Sequence, residues 1–216
     1  MPQFYIQNPQ TNLVIDIQPE SNEIKPTAGS PLIANTKGAS QLQLWTTVAF
    51  GTEVRGLMGW QLIQNVNLSG IVQDPKLPGP FCIDIELTGL HGSARPKSGT
   101  ALDAYPEKPA DSAEGPDWGL TSNANQLWGF YPDPASGHYY IANVLDDLVI
   151  DIMENERRFG PGQPTAGRPL DAFERKLHGS ANQLWQFVDA NGVAVVPPAQ
   201  PVPTHNPPPG GNPVQR

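Results

Sequence analysis

The run Leu13-Val14-Ile15-Asp16-Ile17 returns unchanged as Leu148-Val149-Ile150-Asp151-Ile152, and once more, loosened, as Phe81-Cys82-Ile83-Asp84-Ile85. Each copy sits in the same company. Before it stand Phe4-Tyr5-Ile6-Gln7-Asn8, Gln61-Leu62-Ile63-Gln64-Asn65 and Tyr139-Tyr140-Ile141-Ala142-Asn143. After it come a turn word and then a Gln-x-Trp word. The turn words are Pro26-Thr27-Ala28-Gly29-Ser30-Pro31-Leu32, Gly99-Thr100-Ala101-Leu102 and Pro164-Thr165-Ala166-Gly167-Arg168-Pro169-Leu170. The Gln-x-Trp words are Gln43-Leu44-Trp45, Gln126-Leu127-Trp128 and Gln183-Leu184-Trp185. Asp16, Asp84 and Asp151 lie 68 and 67 positions apart, and Gly29, Gly99 and Gly167 lie 70 and 68 apart. Four words in one order, three times over, make an internal repeat, and a repeat governs the fold.

Short β-branched runs bounded by Pro, Gly and Asn read as strands joined by turns. No segment keeps a 3.6-residue apolar period long enough for a confident helix. The composition agrees: 21 Gly and 25 Pro in 216 residues oppose long helices, and only 16% of residues are charged against about 25% in an ordinary domain. The expectation is an all-β chain with pseudo-threefold symmetry, its repeats at about 4–48, 60–130 and 139–188 in a domain of residues 1–196. The middle copy carries a Pro-rich interruption at 74–80 and a long loop at 106–122. A Pro/Gly-rich tail, 197–216, is expected to be extended or non-globular.

A net charge of −8 and a pI near 4.8 leave no cationic footprint for nucleic acid or anionic lipid. No apolar run reaches the roughly 20 residues of a membrane helix, and the N-terminal residues do not read as a secretion signal. The chain is expected in the cytoplasm as synthesised, with release by a non-classical route open. Cys82 is the single cysteine, so no internal disulfide forms, and it occupies the place of Val14 and Val149 as a small apolar residue.

Chemistry-bearing constellations are weak. His91, His138, His178 and His205 show no zinc-ligand spacing, there is no Gly-x-Ser-x-Gly elbow, and no glycine loop fits a phosphate. The Leu-His-Gly-Ser-Ala word at 90–94 and 177–181 falls at different points of the repeat and reads as coincidence. Asp146, Asp147, Glu154 and Glu156 read as a solvated hairpin end. No catalytic residue, metal or cofactor is expected.

The strand after each turn carries a more informative pattern. In Leu170-Asp171-Ala172-Phe173 and Leu102-Asp103-Ala104-Tyr105, period-two alternation puts the aspartate and the aromatic on one face. An aromatic ring beside carboxylate and amide groups suits a pyranose, whose C–H face stacks while its hydroxyls are bonded. The first copy has Ile33 and Asn35 instead.

These words, over about residues 4–188, resemble the ricin B-chain-like lectins. The resemblance implies a β-trefoil, with Trp45, Trp128 and Trp185 packed in the core. It also implies glycan binding, galactose-type sugars included, by the Asp of the second strand, the aromatic after the turn and the Asn of the Asn-Gln-x-Trp word. Carried across, the third repeat offers Asp151, Asp171, Phe173, Asn182 and Gln183. The second offers Asp84, Asp103, Tyr105, Asn125 and Gln126. The first keeps only Asp16 and Gln43 and is expected to be a dead site. Many such domains have a half-cystine where Cys82 stands, but the expected partner position holds Glu107.

The preferred reading is a non-enzymatic lectin whose partners are glycans or glycoconjugates. A homodimer is compatible with it; nucleic acid and membrane insertion are not expected. The rival is a protein-binding trefoil, a protease inhibitor or toxin-like module acting through the middle-repeat insertions, and a targeting module for a separate domain is a third reading. Fold alone does not decide among them.

Overall fold

The computed structural model describes residues 2–18, 26–68, 79–87, 95–109, 120–145, 148–153, 165–176 and 180–203. Most of the two middle-repeat insertions, the residues from 204 on, His91, His178, His205, Asp146, Asp147, Glu154 and Glu156 lie outside the described residues.

The first repeat supplies β1 (Tyr5–Gln7), β2 (Leu13–Ile17), β3 (Ser30–Thr36) and β4 (Trp45–Ala49). After a short β5 (Leu57–Met58), the second supplies β6 (Gln61–Asn65), β7 (Phe81–Ile85), β8 (Thr100–Pro106) and β9 (Leu127–Pro132). The third supplies β10 (Tyr139–Asn143), β11 (Leu148–Ile152), β12 (Arg168–Glu174) and β13 (Gln186–Val188), and β14 (Val202–Pro203) follows. A 3-10 turn precedes each core tryptophan, at Gln41–Gln43, Ala124–Gln126 and Ala181–Gln183.

Six strands close a barrel. β4 pairs with β6, β6 with β9, β9 with β10, and β13 with β1. The bridges Phe4–Trp45 and Tyr139–Trp185 complete the ring. The hairpins β2–β3, β7–β8 and β11–β12 form the cap, where β3, β8 and β12 pair with one another in a triangle. This is the β-trefoil architecture, with its threefold relation running through the three repeats.

The repeated words are the joints of that symmetry. Gly29, Gly99 and Gly167 adopt φ of 88°, 89° and 87°, a left-handed conformation that side chains with a Cβ disfavour. Held this way, each donates its N–H to the next repeat, at Ala104, Ala172 and Ala34 respectively, over 2.8–3.0 Å. The asparagines that end β6 and β10, and Asn8 just after β1, run the other way round. Asn8, Asn65 and Asn143 donate to the carbonyls of Leu184, Leu42 and Leu127, each at 3.0 Å.

The core follows from period-two alternation. Ile15, Ile83 and Ile150 face inward with Trp45, Trp128 and Trp185, and Phe4 and Phe130 pack edge-on against Phe187 at 5.1 and 5.2 Å. Each large apolar side chain so buried contributes about 1.5–3 kcal/mol. The tryptophans also donate their indole N–H to Ile15, Ile83 and Ile150 carbonyls at 3.1, 2.9 and 3.0 Å, satisfying the polar end that burial would otherwise penalise. β2, β7 and β11 are buried on both faces. Cys82, at the repeat position that Val14 and Val149 hold in the other copies, is buried in a satellite apolar cluster with Trp60 and Leu62. Burial, with the charges of Glu107 and Asp84, pushes its thiol well above the ordinary range.

The packed unit continues beyond Val196, where the sequence places its end. Pro197 and Pro201 are buried, and Val202 and Pro203 pair with Met58 and Leu57. The reason is local shape. A Cβ on Gly129 would meet Pro201 Cδ at 2.8 Å and Cγ at 2.9 Å, so the bare backbone there makes the slot that holds the proline ring. A Cβ on Gly59 would lie 3.4 Å from Pro201 Cα. No helix among the described residues is long and apolar enough to cross a membrane.

Candidate functional site

Each repeat builds the same polar nest where the second strand meets the Gln-x-Trp word. In the first, Gln43 Nε2 donates to Asp16 Oδ2 at 2.9 Å and to the Thr36 carbonyl at 3.0 Å, while its Oε1 accepts from the Gly38 N–H at 2.8 Å. Gln126 bonds Asp84 at 2.9 Å, Pro106 and Lys108 in the same manner. Gln183 bonds Asp151 at 2.7 Å, Glu174 and Lys176. Both ends of each glutamine amide are committed inside the protein. Gln126 and Gln183 thus position the aspartates and hold the following loop.

Asparagine deepens the nest in two repeats. Asn125 Nδ2 donates to Asp84 Oδ1 and to the Ile85 carbonyl at 3.0 Å; Asn182 Nδ2 donates to Asp151 Oδ1 and to the Ile152 carbonyl at 3.1 Å. Asn125 and Asn182 are themselves buried. The first repeat has Leu42 here, and Asn35 instead reaches Asp16 Oδ2 at 3.0 Å from the strand that follows the turn. In the first repeat, where the sequence reading expects a dead site, Asp16 is buried and its Oδ2 accepts from both Gln43 and Asn35.

The aspartate–aromatic pairs fall where alternation puts them, with one difference. Tyr105 and Phe173 are half-buried at the rim. Asp103 and Asp171, on the same outward face, are buried. The neighbouring repeat's turn covers them: an ideal Cβ on Gly29 lies 3.8 Å from Asp103 Oδ2, and one on Gly99 lies 4.0 Å from Asp171 Oδ2. Strand register sets Asp103 opposite Asp84 and Asp171 opposite Asp151. Burial and the charge of Asp84 push Asp103 up to about 8, and burial and Asp151 push Asp171 up to about 7. Asp84 is also raised by burial, against the pull of Lys108, Gln126 and Asn125.

Two lysines complete the sites, and sequence reasoning missed both. Lys108 Nζ is 2.8 Å from Asp84 Oδ2 and 4.7 Å from the Tyr105 ring centroid. Lys176 Nζ is 3.6 Å from Asp151 Oδ2 and 4.9 Å from the Phe173 centroid. Their signal is an offset of three from the aromatic, in Tyr105-Pro106-Glu107-Lys108 and Phe173-Glu174-Arg175-Lys176, against Gly38 in the first repeat. Each ammonium bridges the carboxylate and the face of the ring.

A ring face, a charged lysine and a carboxylate backed by two amides can recognise a polyhydroxylated molecule with one apolar face. Glu107, at the position of the missing half-cystine, accepts from Gln64 Nε2 at 3.0 Å. No group of three or more potential metal ligands occurs among the described residues.

No protein-family model matches the sequence, and no curated protein matches it. Solved structures do. The designed threefold-symmetric protein ThreeFoil aligns at 16% identity and a TM-score of 0.56, over 87% of this chain and 98% of its own. A Macrolepiota procera ricin B-like lectin, solved in complex with lactose, aligns at 17% identity and a TM-score of 0.53, over 86% of this chain and 94% of its own. A mosquitocidal holotoxin aligns at 14% identity and a TM-score of 0.54, with 86% of this chain matching 17% of that one. This chain thus spans about a sixth of the holotoxin, and nearly the whole of the other two. The barrel, its three-hairpin cap and these likenesses together make the chain a β-trefoil, with the fold that ricin B-like lectins have.

Proposed function

We propose that the chain is a non-enzymatic carbohydrate-binding protein that uses its third and second repeats as two shallow glycan sites. One observation carries the reading. The buried aspartate–amide nest occurs in all three repeats, but among the described residues a lysine that contacts the nest's aspartate and lies over a half-exposed ring is found in the second and third; in the first, Lys37 lies over Tyr5 and donates instead to the Asp189 and Ala190 carbonyls. A nest serving the fold alone has no use for an aromatic face at two copies out of three.

In this mechanism a pyranose lays its C–H face on Phe173 or Tyr105, and a hydroxyl donates to Asp151 or Asp84 in place of the lysine ammonium. Asn182 and Asn125 hold the carboxylate from behind. The lysine, released from the ion pair, remains near enough to donate to the sugar. Galactose-type ligands follow from the resemblance to ricin B-like lectins. The small ring area at each site implies weak single-site affinity, strengthened when two sites engage one multivalent glycan.

A glycan array on the wild-type protein and on a variant carrying Asp151→Ala and Asn182→Ala tests the reading. Binding that falls in the variant supports it. An array with no bound glycan for correctly folded protein refutes it.

A further inference from the structure

The sugar-site reading leaves the second carboxylate of each site unused. Asp103 and Asp171 are about 94% and 96% buried, and Oδ1 of each has no hydrogen-bond partner among the described residues. Such an arrangement is costly, because a buried carboxylate is ordinarily paired. An unbonded buried Oδ1 also occurs on Asp16 of the first repeat, but the second carboxylate is not shared by all repeats. The first has Ile33 in place of the second aspartate and Gly38 in place of the lysine. The second acid and the cation therefore come as a set, confined to the repeats with a ring at the rim.

The charges in that set do not balance. Asp103 faces the carboxylates of Asp84 and Glu86, which raise it, and Lys108, which lowers it. Asp171 faces Asp151 and Lys176. Among the described residues, the neighbouring repeat sets Pro31 and Gly29 against Asp103, and Ala101 and Gly99 against Asp171. Among the described residues, three carboxylates thus meet one ammonium in the second repeat and two meet one in the third, and that ammonium already rests on an aromatic face.

We propose that the second and third repeats prefer a sugar carrying a free, protonated amino group, a hexosamine that is not N-acetylated, over its neutral counterpart. This rests on the carbohydrate-binding reading and names the ligand class for the same sites. A hexosamine offers in one molecule the C–H face that stacks on Tyr105 or Phe173 and a second positive charge for the carboxylate pair. In the absence of that charge a proton supplies the balance, which is what the raised values of about 8 for Asp103 and about 7 for Asp171 express. An entering ammonium expels that proton to solvent; an entering hydroxyl leaves it in place. At pH 7 the amine should release up to about one proton at the second repeat and about half a proton at the third.

Isothermal titration calorimetry at pH 7 tests this with galactosamine against galactose, and glucosamine against glucose, in two buffers of different ionisation heat. In at least one pair the amine is expected to bind about tenfold tighter, with a buffer-dependent heat that marks proton release. A variant carrying Asp103→Asn and Asp171→Asn should bring the amine-to-neutral affinity ratio toward one, its fold checked by thermal melting. Equal affinities, or heats that do not depend on the buffer, overturn the proposal while leaving glycan binding intact. Failure of all four sugars to bind overturns the carbohydrate reading with it.

Discussion

Asp103 stands directly opposite Asp84 in the β7–β8 ladder; Lys108 meets Asp84 Oδ2 at 2.8 Å, while Asp103 Oδ1 meets no donor among the described residues. The same division holds between Asp151 and Asp171 in the third repeat. Each pair sets a carboxylate supplied with donors opposite one that burial pushes up, to about 8 for Asp103 and about 7 for Asp171.

Stability should therefore fall as pH rises. An unfolded aspartate releases its proton near pH 4, whereas Asp103 holds it to about 8 and Asp171 to about 7. Between those limits the folded state binds more protons, so their contribution is fully present below about pH 4 and is lost as pH climbs through the folded values. Asp103→Asn should flatten the curve and stabilise the protein at pH 8 by on the order of 1 kcal/mol or more. Thermal melts from pH 5 to pH 9 measure it, and parallel curves for variant and wild type would refute it.

Lys108 lowers the Asp103 value through its charge. Lys108→Met should raise the midpoint of the Asp103 titration by about one pH unit and leave Asp171 where it is. Carboxyl carbon shifts followed by NMR across the titration give both numbers in one experiment.

The first repeat separates folding from binding. Asp16→Ala removes the acceptor for Gln43 and Asn35 and should cost about 1–3 kcal/mol with glycan binding retained. Asp151→Ala should cost a similar amount and also abolish binding at the third repeat. Urea unfolding alongside a binding assay distinguishes the two; equal loss of binding in both variants would assign the aspartates a purely structural role.

Gly129→Ala places a Cβ against Pro201 and against Tyr131 Cε2, at 2.9 Å from the latter. It should destabilise by about 1–3 kcal/mol, chiefly by dislodging the segment that ends in β14. Removal of residues 197–216 should cost a comparable amount. The two changes combined should cost less than their sum, because they break one shared contact. Unfolding midpoints of the three variants test the coupling.

The architecture was legible because its joints are spelled out in short words. Gly29, Gly99 and Gly167 need positive φ, Asn8, Asn65 and Asn143 tie one repeat to its neighbour, and the tryptophans need a carbonyl at a set place. Such demands admit few residue types, so they survive as repeats. The site was legible in part. Alternation along β8 and β12 places Tyr105 and Phe173 correctly, but it cannot reveal that a turn from another repeat covers Asp103 and Asp171. Nor does it show that Gln126 and Gln183 spend both ends of their amides on the protein. Lys108 and Lys176 escaped because they lie past the strand, where the periodic signal stops. The seat of Pro201 depends on Gly129, 72 residues earlier in the chain, and a tail's composition carries no trace of a slot that distant.

The barrel closes where β1 meets β13, with Tyr5 against Val188 and Gln7 against Gln186. During synthesis β1 waits for β13, which follows it after nearly the whole of the three repeats. At about 5–20 residues per second that delay is on the order of ten seconds or more. Until it ends, the edge of β1 and the apolar face of Phe4 and Ile6 have no lasting partner from the far end of the chain. The hairpins of the cap can form as each repeat emerges from the ribosome. The seam is the last piece to shut, and it is where an interrupted or crowded nascent chain is most exposed to pairing with the wrong strand.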